Sequence, residues 1–131
     1  VASELIKVLD TKKEDLVILN FANGDMVGHT GVYEAIKKAV TTIDGLVKEV
    51  VDSAVANGYT VLITADHGNA DNAVNADGTP NTAHSLNPVP FIVVDNDIKS
   101  VKNGILADIA PTILKLMGIE QPAAMTGEAL I

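Results

Sequence analysis

Residues 15–21 read DLVILNF, a short, nearly continuous apolar run rich in strand formers, which predicts a buried strand of a parallel sheet. Downstream, apolar residues from Val32 through Ile36, Val40, Ile43, Val47, Val51 and Ala54 recur at helical spacing, with Lys37, Thr41, Asp44, Lys48 and Asp52 between them. That pattern predicts one long amphipathic helix, closed by Asn57-Gly58. Tyr59 to Ala65 then repeats the buried-strand composition. Strand, helix and strand in this order form a right-handed parallel crossover in nearly every known case. The fold class expected is therefore α/β, a mostly parallel sheet with flanking helices.

Working outward, Ser3 to Asp10 reads as a short helix capped by Ser3, and Val89 to Asp95 as a third buried strand. Between Ala65 and the Asn87-Pro88-Val89-Pro90 punctuation runs a polar stretch too long to be an idle connection. Asp77-Gly78 within it marks a tight turn, so a small projecting hairpin is expected there. Ile105 to Met117 is apolar-periodic with Pro111 inside it, which predicts a helix begun or kinked at that proline and closed by Gly118. No linker divides the 131 residues, so a single domain is expected.

The composition narrows function before any motif is read. With 9 Lys+Arg against 17 Asp+Glu and 3% aromatics, there is neither a basic footprint for phosphate backbones nor a base-stacking platform, and nucleic-acid binding is not expected. No apolar run reaches the length of a membrane span, and Val1 to Asp10 lacks the features of a signal peptide. A cytoplasmic protein without membrane partners is expected. The absence of cysteine removes disulfides and thiolate metal sites together, leaving His and carboxylate as the only metal ligands. All nine basic residues are lysine, so no guanidinium is present to grip phosphate in bidentate fashion.

All three histidines fall near the predicted strand ends: His29 after the first strand, His67 after the second, and His84 in the long loop. Asp25 precedes His29 by four residues in a glycine-punctuated loop, and Asp66 adjoins His67 where the second strand ends. In open α/β sheets that edge is where ligands bind. Each residue taken singly has an ordinary explanation, since a lone loop histidine is usually a solvated side chain and Asp before His is often a helix cap. The coincidence of all three at one edge, two beside an aspartate, favours a divalent metal site of mixed ligands, suited to Mn, Zn or Fe more than Ca or Mg. Five candidates exceed what one catalytic ion takes from protein, so two ions are expected, an arrangement suited to phosphoryl transfer.

Four runs, LVILNFANGDMVGHTG (16–31), VLITADHGNAD (61–71), TAHSLNPVPFIVV (82–94) and LADIAPTILKLMGIEQPAAMTGEAL (106–130), together resemble the C-terminal part of the cofactor-independent (2,3-bisphosphoglycerate-independent) phosphoglycerate mutases of the alkaline phosphatase superfamily. The resemblance implies an alkaline-phosphatase-like domain with two Mn2+ ions that interconverts 3-phosphoglycerate and 2-phosphoglycerate through a phosphoserine. It also implies that Asp25, His29 and His84 hold one ion, and that Asp66 and His67 hold the other.

The family's serine nucleophile, a further aspartate ligand, an active-site lysine and the substrate domain with its arginines have no counterpart among residues 1–131. Ser3, Ser53, Ser85 and Ser100 do not sit in the family's nucleophile motif. The expectation is therefore a C-terminal piece of such an enzyme, inactive alone, with at most one well-formed metal site and exposed surface prone to self-association. Two other readings stay open at this point. One is another superfamily phosphomutase or phosphatase, and the other is a free-standing, non-catalytic metal-binding domain.

Overall fold

The computed structural model describes residues 1–131. Helix α1 spans Ala2–Thr11, α2 Asn23–Gly28, α3 Tyr33–Ala56 and α4 Ile109–Leu116, and two strands, β1 Val61–Thr64 and β2 Phe91–Val94, form the sheet. The chain is thus α/β in content. Helix α3 packs against both α1 and α2, buries Ile36 and Ala54, and stops at Asn57 because Gly58 turns the chain at φ 86°. Helix α1 carries no side-chain cap, contrary to the expectation at Ser3; its N-cap is Val1.

The sheet differs from the expected parallel crossover. β1 and β2 pair antiparallel, Val61 opposite Val94 and Thr64 opposite Phe91. A parallel pair needs a long crossover that carries the chain back to its starting end. Between β1 and β2 the chain makes only a 3-10 turn, Ala70–Asn72, and local turns, so it returns antiparallel. The long helix precedes β1 instead, and the segment it would have joined to β1, residues 15–21, enters no backbone hydrogen bond. The strand periodicity is nonetheless visible there: Val17, Leu19 and Phe21 are half-buried while Leu16, Ile18 and Asn20 are exposed. The segment has the faces of a strand without a partner for its backbone.

The expected hairpin is present in reduced form. Val74 and Pro80 form an isolated antiparallel bridge, with Gly78 at φ 84° in the turn between them. Near the C-terminus the 3-10 turn Leu106–Asp108 leads directly into α4. Pro111 lies in the first turn of that helix, where a missing N–H costs no hydrogen bond, and the helix starts two residues before it, at Ile109. Thr112 is fully buried: its Oγ1 donates to the Asp108 carbonyl at 2.7 Å and accepts from the Leu130 amide at 2.9 Å. Asp108 accepts from the amides of Ile105 and Glu128 at 2.8 and 2.9 Å. Together these bonds tie the tail to α4.

Only eleven of the 131 residues are buried, and the accessible surface is 8830 Å². A folded monomer of this length exposes about 6,600 Å². The excess includes large apolar side chains such as Leu16 and Ile18, the latter 81% exposed. Within the chain these faces have nothing to pack on.

Candidate metal centre

Asp25 and His29 are brought together by α2, which replaces the flexible loop expected at 23–31. Four residues apart, they lie on the same face of a helix, and the His29 amide donates to the Asp25 carbonyl at 3.1 Å as the helix ends. His84 reaches the same place from the long loop. That loop is held against the β1 exit by an isolated bridge between Gly68 and Ser85, with the Ser85 amide donating to the Gly68 carbonyl at 2.9 Å.

Asp25 Oδ1 lies 3.0 Å from His84 Nε2 and 3.2 Å from His29 Nε2, and the two Nε2 atoms are 3.2 Å apart. A carbonyl oxygen can only accept, so His29 Nδ1, 2.8 Å from the Thr82 carbonyl, must carry a proton. In a neutral imidazole that leaves Nε2 as a lone pair facing an acceptor oxygen. Such a face-to-face pair is repulsive unless a proton or a cation sits between them. Three donor atoms separated by 3.0 to 3.2 Å span the edges of a coordination shell whose ligands stand about 2.0–2.2 Å from a divalent ion. The donor set therefore fits a single cation, and the Thr82 carbonyl makes the kind of outer contact that would fix the tautomer of a histidine holding one.

The electrostatics agree with this geometry. Partial burial works to raise the Asp25 carboxyl, but the hydrogen bond from the Asn69 amide, and the positive charge that His29, His84 and His67 carry when protonated, outweigh it and hold it below the usual carboxylate range. The group is ionised at neutral pH.

Asp66 and His67 do not join this cluster. His67 Nε2 stands 4.0 Å from Asp25 Oδ1 and 3.8 Å from Asp66 Oδ1, while its ring stacks on His84 with centroids 3.7 Å apart. The Asp66 side chain is 82% exposed. The pair lies beside the Asp25–His29–His84 cluster, with His67 half-buried and Asp66 open to solvent.

Sequence reading missed two residues here. Asn69 is buried and its Nδ2 donates to Asp25 Oδ1 at 2.8 Å. Asp71 accepts from Ser85 Oγ at 2.8 Å and from Asn87 Nδ2 at 2.6 Å, bonds that carry its carboxyl below the ordinary range. The available signal was position: both lie within four residues of His67, in a Gly-Asn-Ala-Asp run that resembles an ordinary turn.

Comparison with known proteins agrees with a metal centre. Over its full length the chain is 58% identical to a 2,3-bisphosphoglycerate-independent phosphoglycerate mutase of Parabacteroides distasonis, of which it covers 26%. Over 99% of its length it is 53% identical to the protein of that name from Clostridium acetobutylicum, again covering 26%. Over 97% it is 50% identical to that of Flavobacterium psychrophilum, covering 25%. The chain spans about a quarter of the length of these curated relatives. The family model described as "Metalloenzyme superfamily" matches residues 1–121, nearly the whole chain and every residue of the cluster, and the chain belongs to the metalloenzyme superfamily.

Proposed function

We propose that this chain is the C-terminal part of the metal-binding domain of a phosphoglycerate mutase, and that Asp25, His29 and His84 hold one Mn2+ ion while Asp66 and His67 contribute to a second. The observation that carries the reading is the convergence of three lone-pair donors within 3.2 Å of one another. In the full-length enzyme the substrate is phosphoglycerate and the reaction, an isomerisation in glycolysis in the cytoplasm, moves a phosphoryl group. The bound ions would supply charge neutralisation to the phosphoryl oxygens. The chain's own residues do the holding: Asp25 carries the negative charge, and His29 and His84 present neutral nitrogens.

The chain alone is proposed to be inactive. Ser85, next to His84, commits its hydroxyl to Asp71, and no arginine is present to grip a phosphate. The unpaired segment 15–21 and its exposed apolar face are proposed to promote self-association when the chain stands alone. No helix is long and apolar enough to cross a membrane, and the excess of acidic residues gives nucleic acid no purchase.

The test is interconversion of 3- and 2-phosphoglycerate, followed by phosphorus NMR. A longer protein carrying this sequence is expected to turn over with Mn2+ and to lose turnover as His84→Ala, while the 131-residue chain shows none. Unimpaired turnover by the His84→Ala protein would contradict the reading.

A further inference from the structure

The atoms that converge on the cation position come from segments distant in the chain: Asp25 and His29 from α2 and its end, and His84 from the long loop. Helix α2 pairs Asp25 with His29, and the Thr82 carbonyl ties His29 to the long loop, but neither contact holds the Asp25 carboxylate or the residues that follow His84. The short turn Asn69–Asn72, directly after His67, grips each of them. Asn69 holds Asp25 through Nδ2 at 2.8 Å. Asp71 holds the residue after His84, accepting from Ser85 Oγ at 2.8 Å, and holds Asn87 as well. The Asn72 carbonyl accepts from Asn81 Nδ2 at 2.7 Å, next to Thr82, whose carbonyl fixes His29.

Two features argue that Asn69 is there for its amide and not as filling. It is 7% exposed, and its Oδ1 is buried with no donor in the chain. An orphaned acceptor costs free energy that an apolar side chain of the same size would avoid. Its neighbour is also shaped to admit it: a Cβ on Gly28 would collide with the Asn69 side chain. Gly28 immediately precedes His29, so the helix that carries two ligands keeps a bare backbone where the amide passes. Gly68 plays the same part for the other arm, since a Cβ there would run into Ser85 Oγ.

We infer that the turn Asn69–Asn72 is a positioning element for the metal centre, with Asn69 orienting the Asp25 carboxylate and Asp71 orienting the His84 arm. The inference rests on the cation reading given above. Outer partners of metal ligands typically change affinity by about ten- to a hundred-fold when removed. Both residues act through the ligands and do not touch the ion.

The test measures Mn2+ affinity by titration calorimetry, alongside urea unfolding of each metal-free protein, for the 131-residue chain and for Asn69→Ala, Asp71→Asn, Gly28→Ala and the double variant Gly28→Ala/Asn69→Ala. Asn69→Ala and Asp71→Asn are each expected to weaken binding about ten-fold or more while the metal-free protein still unfolds cooperatively. Gly28→Ala is expected to weaken it as well, and to add little in the Asn69→Ala background, where the obstructed amide is already gone. Asp71 is exposed, so its variant keeps the test alive if truncating buried Asn69 harms the fold. Unchanged affinity in both single variants overturns the inference and leaves the cation site standing. Loss of cooperative unfolding in both also overturns it, by showing that the turn is structural. Failure of the unsubstituted chain to bind Mn2+ removes the cation reading and this inference together.

Discussion

His29 Nδ1 meets the carbonyl oxygen of Thr82 at 2.8 Å across 53 residues of sequence, so a main-chain atom of the long loop decides which nitrogen of His29 is free to bind. The bond joins the helix that carries Asp25 to the loop that carries His84, because Thr82 lies two residues from His84. The expected consequence is a neutral His29 with its proton on Nδ1. Nitrogen-15 NMR of the ring at a pH above the ordinary histidine range should show that tautomer. A ring protonated mainly on Nε2 would contradict the geometry.

The acid limb of stability should depend on Asp108. Its carboxylate accepts the Ile105 and Glu128 amides, which outweigh partial desolvation and hold it below the usual carboxylate range. A group with a depressed folded-state pKa stabilises the fold above its unfolded value, about 3.9, and that contribution is lost as the pH falls through the folded-state value. Asp108→Asn removes the proton-linked part. Urea unfolding from pH 7 to pH 2.5 should therefore show a lower plateau and a shallower acid decline for the variant. Parallel curves for the two proteins would rule this out.

Leu16 and Ile18 should govern association of the isolated chain. They form the outward face of a segment whose backbone is unpaired, and flat apolar edges of this kind recruit other edges. Light scattering is expected to show the apparent mass rising with concentration, and Ile18→Lys should suppress the rise. A monomer at every concentration, or association indifferent to Ile18→Lys, would place any contact elsewhere.

What was legible in the sequence was whatever is set locally. The apolar spacing of α3 and the Gly58 stop survive in the structure within a residue or two, and the Asp77-Gly78 turn is where its composition put it. Pairing was not legible, because it depends on which segment lies beside which: DLVILNF carries a strand's alternation but finds no strand in the chain to bond, and β1 takes β2 antiparallel instead. The metal candidates stood out by residue type. That Asp25 and His29 share a helix face was hidden by the two glycines of α2, which argue for a loop when read alone. Asn69 was hidden more deeply. Its role exists only because Gly28, 41 positions earlier, leaves space for it, and no local rule reports that.

Asp25, His29 and His84 are proposed to bind one divalent cation. Titration calorimetry of Mn2+ into the 131-residue chain and into His29→Ala, at neutral and at mildly acidic pH, tests it most directly. Saturable binding of about one ion to the unsubstituted chain is expected at neutral pH. That binding should be lost in His29→Ala, and it should weaken on acidification, because a ligating imidazole must be neutral. Absence of binding at neutral pH, or an affinity indifferent to both the substitution and the pH, would contradict it.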